Sequence, residues 1–287
     1  MAEIKNSLRC CGILFRRELG SPKLWLVFGM AAVFSFYNYD PLCTVADFYQ
    51  VPVTPWVYPF FLSFPTMLVV NSGLCLLLFS DVCEADGYTE LMIARAGRRA
   101  YITGQLLWVL VTSFLYAAAL WAMSILFILP EIGWEGDWGV LLHTLAESSG
   151  QIQSQTGVSL SIIVPRETLA LFTPLEATVL CFLCIWLSAA FTGILICFFR
   201  LIISRSAGIF AAGIFVCMTV FSVSVGVLTF GYWLQYLSPL SWASFLSIDW
   251  YYSGITPSPV YVFSVWLIGI TGMGLCAVWK FDRRDLE

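Results

Sequence analysis

The chain has 287 residues, of which 60% are hydrophobic and 11% charged, and its mean hydropathy is +0.86. A fully hydrated domain usually carries about 25% charged residues, so the composition argues against one and leads us to expect that lipid takes up apolar surface the core cannot hide. A formal net charge of −4, with cations scattered along the chain, provides no phosphate-binding face, and no nucleic-acid partner is expected.

The cations set the expected topology. Of the 14 Lys and Arg, all except Arg166 fall in segments that a six-helix reading places on one membrane side: Lys5, Arg9, Arg16, Arg17, Lys23, Arg95, Arg98, Arg99, Arg200, Arg205, Lys280, Arg283 and Arg284. An excess of cations in cytoplasmic segments is the usual orientation signal of membrane helices. The expected fold class is therefore an all-α polytopic membrane protein with six transmembrane helices, both termini cytoplasmic, in the inner or cytoplasmic cell membrane. Trp25, Trp56, Trp134, Trp138, Trp233, Trp242, Trp250 and Trp279 fall near span ends or in connections, where indole suits the interface.

Residues 1–22 read as an amphipathic interfacial helix, with Ile4, Leu8, Cys11 and Phe15 on one side and Lys5, Arg9, Arg16 and Arg17 on the other. Span one begins at Leu24–Tyr37, and 40–55 forms an outer loop. Span two runs over 57–79, bent by Pro59 and Pro65. Residues 81–100 break the hydropathy; a helix from about Tyr88 puts Glu90 near its positive end and Arg98 near its negative end. Span three is 101–129. The larger outer loop, 130–173, contains alternating Gln151, Gln153 and Gln155, a pattern open to a small β element. Span four is 174–199, span five 208–230 and span six 260–279. Between the last two, 231–259 reads as paired short outer helices or a re-entrant hairpin, which protein would have to cover.

Chemistry-bearing motifs are sparse. No phosphate-binding G-x-x-x-x-G-K-[ST] run occurs, and Gly97-Arg98-Arg99 does not replace one. His143, near Glu147, reads as an ordinary loop histidine. Cys181 and Cys184 share a helix face without His or carboxylate companions, so buried thiols are expected rather than a metal site. Asn71, Gln105 and Glu176 are the embedded polar candidates for a conduit, with helix–helix hydrogen bonding and interfacial anchoring as their alternatives. Trp233 and Tyr236 belong to a candidate gate. Ala189 and Gly193 offer a small-xxx-small packing surface.

The run from Glu84 to Met92 resembles the acidic–Gly–Thr–Glu–Leu segment of the permease subunits of type-2 ABC exporters, and Arg95 to Tyr101 resembles the arginine-bearing exit of that segment. Gly104 and the tail Phe281–Leu286 are similar as well, whereas Ala96-Gly97 stand where many relatives have Pro and a small residue. The resemblance implies a permease subunit of an ATP-driven exporter, paired with a second permease protomer and a separate ABC ATPase. It implies no cofactor in this chain, with ATP and Mg2+ held by the ATPase. It also implies a coupling element of Glu84, Glu90, Leu91, Met92, Arg95, Arg98 and Arg99, and an apolar peptide, lipid-like compound or drug as cargo. The rival readings are a non-transporting membrane sensor or immunity subunit and an ion-coupled carrier.

Overall fold

In the computed structural model, which describes residues 2–84, 87–204, 206–223, 229 and 231–282, helices account for all regular structure beyond one isolated bridge between Val53 and Ile132. The α-helices are α1 (Ala2–Leu19), α2 (Pro22–Tyr49), α3 (Pro65–Leu78), α4 (Gly87–Ala96), α5 (Arg98–Ile128), α6 (Gly139–Thr156), α7 (Arg166–Leu171), α8 (Pro174–Ile202), α9 (Ala207–Val223) and α10 (Pro259–Asp282). Proline opens α2, α3 and α8, where its missing N–H would have had no helical acceptor and its φ is already helical.

The packing centre is α8, which lies against α5, α9 and α10. Small side chains make this possible: Ala189 and Ala190 are fully buried, and a Cβ on Gly193 would meet Val109 at 2.5 Å and Phe79 at 3.0 Å. At the α8–α9 crossing, a Cβ on Gly208 would collide with the Ile196 carbonyl. Backbone cannot rotate away as a side chain can, so the two helices would have to separate.

Three helices are long and apolar enough to cross a membrane: Arg98–Glu131 (α5 with the turn that follows it), Pro174–Ile202 and Pro259–Asp282. A fourth exists only if α1 and α2, bent by 70° where they meet, count as one. This corrects the expected six-span fold among the described residues. Span two fails because Pro55, Pro59 and Pro65 divide it into a 3-10 turn (Pro55–Phe60) and the 14-residue α3. That helix is about 21 Å long, short of a hydrocarbon layer of about 30 Å. Of span five, the described residues give the 17-residue α9, and 224–228 and 230 lie outside them. The multi-pass placement in a cytoplasmic or inner membrane falls with it, because the inside–outside alternation of the cations needed six crossings. Arg205, Arg283 and Arg284 lie outside the described residues.

Other segments also depart from expectation. Residues 40–49 continue α2 instead of forming a loop. The glutamine run is helical: Leu141, Leu142, Leu145 and Ile152 form the buried side of α6, and this helical spacing wins over the local alternation. Within 231–259, where short helices are one of the two expected forms, three short 3-10 helices (Tyr232–Leu237, Ser241–Ala243 and Phe245–Ser247) alternate with irregular backbone; Trp242 and Phe245 are fully buried, while Trp233 and Tyr252 are exposed. Aromatic edges hold this layer together: Trp242 meets Trp266 at 5.8 Å and Phe245 stacks on Trp250 at 4.8 Å, arrangements favoured by the ring quadrupole.

Gly208→Ala should destabilise the fold by about 1–3 kcal/mol through overpacking, while Gly213→Ala, with open space around its Cα, should be neutral or mildly stabilising. Thermal unfolding of the purified variants checks the contrast.

Candidate partner-docking site

At the start of α5, α1 lies almost in backbone contact. A Cβ on Gly104 would be 2.7 Å from Cys10 Cβ and 3.0 Å from the Ser7 carbonyl, and the Ser7 and Thr103 hydroxyls are hydrogen-bonded at 2.6 Å. This approach selects the face that α1 buries: Ser7, Cys10 and Leu14. The stripe expected from hydrophobicity is consequently split. Ile4 and Leu8 point outward, 68% and 59% exposed, whereas Cys11 and Phe15 pack against the core.

The neighbouring wall is α4. Its inward side chains are Thr89 and Met92. The Thr89 hydroxyl donates to the Glu84 carbonyl at 3.1 Å and lies 3.4 Å from the Tyr101 hydroxyl. Gln105 donates to that same Tyr101 oxygen at 2.9 Å, fixing α4 to α5. Between the two helices stands Gly97, with φ 87° and ψ 155°, a conformation essentially confined to glycine.

Between α1 and α4 opens a cleft of about 530 Å³, lined by Asn6, Arg9, Cys10 and Ile13 on one side and Leu91, Met92, Arg95 and Ala96 on the other. Leu91 is 59% exposed. Arg9 and Arg95 are exposed, and among the described residues neither forms an ion pair.

Three other cations at this end of the bundle are internally engaged. Arg200, only 8% exposed, donates to the carbonyls of Val82 (2.7 Å) and Ser80 (2.9 Å). Lys23 pairs with Asp81 at 2.8 Å, and Arg99 pairs with Asp282 at 2.7 Å. Burial pushes the Asp81 carboxyl up, but the Lys23 hydrogen bond and charge outweigh it, with help from Ser80 and Arg200, and hold it below its ordinary value.

Of the expected coupling residues, Leu91, Met92 and Arg95 meet at the cleft. Glu90 lies exposed on α4, Glu84 precedes the helix, Arg98 is half-buried at the start of α5, and Arg99 is tied to α10. Ala85 and Asp86 lie outside the described residues. Missing from the sequence reading was the whole α1 wall: Asn6, Arg9, Cys10 and Ile13. The available signal was Gly104, a small residue nearly two helix turns into α5.

The expected conduit residues are dispersed. Asn71 accepts from Tyr116 at 2.9 Å, beside a void of only about 10 Å³, roughly the minimum for a single water. Gln105 belongs to the Tyr101 network. Glu176 caps α8 through Thr173. Trp233 is 56% exposed, and the Tyr236 hydroxyl donates to the Thr256 carbonyl at 3.1 Å. His143 is exposed on α6, while Glu147 faces Arg166 at 3.9 Å.

No family model, curated protein or solved structure matches this chain. The resemblance to type-2 ABC exporter permeases therefore does not hold, because its short segments extend to no detectable relationship. The exporter reading goes with it, and so do the sensor and ion-carrier alternatives. Among the described residues, Gln105 and Asn71 are each bonded to a tyrosine, and an aromatic pair such as Trp242–Trp266 fills space between elements.

The Asp81 shift fixes the sign of a pH effect. A carboxyl lowered in the folded state contributes stability above its unfolded pKa and loses it as pH falls through the folded value. Asp81 is nearly half exposed, so the pair is worth about 0.2–1 kcal/mol. Asp81→Asn should lower the neutral-pH melting temperature slightly and flatten its acid limb, as melting curves between about pH 2 and 7 would show.

Proposed function

We propose that this chain is a non-catalytic helical docking protein whose α1–α4 cleft receives a segment of a separate protein. The carrying observation is the cleft itself: Cys10, Ile13, Leu91 and Met92 supply apolar surface, and Arg9 and Arg95 supply two cations without an ion-pair partner among the described residues. An apolar side chain seated between those cations, flanked by Asp or Glu, would match both features. Apolar anchors supply the binding energy in such grooves, and charges set register and partner choice. The partner is defined by that chemistry rather than by an activity of its own.

Lipid hydrocarbon is the second contact we propose. Trp25, Val33 and Phe36 of α2 and Ile268, Leu275 and Trp279 of α10 are all more than half exposed, and an apolar surface this extensive needs a cover.

A photo-crosslinking residue at Leu91 should trap a partner whose attachment segment, mapped by mass spectrometry, carries an apolar residue between carboxylates. Arg9→Glu with Arg95→Glu should reduce the yield about tenfold or more, and a probe at Trp134 should not trap that segment. An adduct insensitive to charge reversal, or no adduct at Leu91, would refute the docking assignment. For the lipid contact, brominated acyl chains should quench tryptophan emission, less so in a Trp25→Phe/Trp279→Phe variant. Identical emission in brominated and ordinary lipid would exclude it.

A further inference from the structure

A groove of about 710 Å³ lies at the opposite end of α8 from Arg200, lined by Leu171, Phe172, Leu175, Glu176, Val179, Leu180, Trp250, Tyr252 and Pro259. Its aromatic wall is fixed in place. Trp250 donates its indole N–H to the Phe245 carbonyl at 2.8 Å, stacks on Phe245 at 4.8 Å and makes a T-shaped contact with Phe172 at 5.4 Å. The loop that presents Trp250 and Tyr252 is closed by Asp249, whose carboxylate accepts from Gly254 N–H at 2.7 Å and whose own N–H donates to the Pro257 carbonyl at 2.9 Å. Tyr252 holds a left-handed φ of 56° and is 67% exposed.

The charge in this groove is a single carboxylate. Glu176 uses Oε2 to accept the Thr173 N–H at 3.0 Å, while its own N–H donates to Thr173 Oγ1 at 3.4 Å. That capping box orients the side chain and leaves Oε1 without a hydrogen-bond partner among the described residues. No lysine or arginine lines the groove. Its features are therefore apolar walls, indole and phenol rings, and one negative charge.

We propose that this groove binds a free organic cation with an apolar or aromatic body, of the quaternary-ammonium or hydrophobic-amine class. The cationic head would rest against Trp250 and Tyr252, where the negative ring faces attract it, with Glu176 supplying the countercharge. Leu171, Leu175, Val179 and Leu180 would cover the apolar body. A phosphocholine headgroup carries the same ammonium but brings a phosphate toward Glu176, so the free cation fits better. The site lies apart from the α1–α4 cleft and does not depend on the docking reading.

The test uses benzyltrimethylammonium and the full purified chain, with calorimetric titration. Glu176→Gln removes the charge and keeps a side chain able to complete the capping box, so the chain should stay folded, with a melting temperature only slightly below wild type from the lost helix-end countercharge. Its affinity for the probe should fall about two- to fivefold, the scale of an exposed ion pair. Tyr252→Ser should weaken binding by a similar factor, and Glu131→Gln, a neutralisation elsewhere, should change nothing. Equal affinity in wild type and Glu176→Gln, or no binding by either, would overturn the proposal. Competition by short-chain phosphatidylcholine would assign the groove to a lipid headgroup and overturn the choice of a free cation.

Discussion

Burying a guanidinium costs several kcal/mol unless its donors are met. Arg200 meets that requirement with two backbone carbonyls, Ser80 and Val82, in a turn that belongs to no helix. The result is a fixed link between the C-terminal end of α8 and the segment joining α3 to α4. Lys23 adds α2 to the same segment through Asp81. Because α4 starts only a few residues later, the position of the docking wall follows from this link together with the Thr89–Tyr101–Gln105 bonds. The fork geometry matters: a lysine presents one compact charge and cannot span two carbonyls with the same rigidity.

The same end of the bundle gathers two kinds of cation. Lys23, Arg99 and Arg200 spend their charge on aspartates or carbonyls of neighbouring elements, and their work is structural. Arg9 and Arg95 lie at the mouth of an apolar cleft without such neighbours. Bonded partners sort the two groups, and sequence position does not, since Arg95 and Arg99 are only four residues apart with Gly97 between them. The reorientation at Gly97 sends Arg95 into the cleft and Arg99 toward α10.

Much of the helical pattern could be read from residue order. Proline at first turns marks the starts of α2, α3 and α8, and the polar break at 81–100 marks the α4 region. What could not be read was set by tertiary contact. The apolar stripe of α1 gave a face rotated from the one it buries, because close approach at Gly104 favours the smaller Ser7 and Cys10 over Ile4 and Leu8. The alternating glutamines of α6 imitated a strand, while Leu141, Leu142 and Leu145 carried the competing helical period. Hydropathy alone joined 57–79 into one span, although its prolines interrupt the backbone bonding a crossing helix needs. In the cleft, the α4 residues were legible as a polar interruption; the α1 residues were not, since nothing in their order shows which helix they face.

The two ends of α8 show how one helix serves unlike surroundings. At its start, Thr173 and Glu176 complete the capping box, and the carboxylate there offsets the positive helix end. At its finish, Arg200 offsets the negative helix end while clamping a loop. Between them Ala189, Ala190 and Gly193 admit neighbours so closely that little space remains for a polar passage. A ligand or partner therefore meets this bundle at its surfaces: the cationic cleft on one side of the packed interior, the anionic aromatic groove on the other. The charge of each surface is set by its own lining, Arg9 and Arg95 in the cleft and Glu176 in the groove.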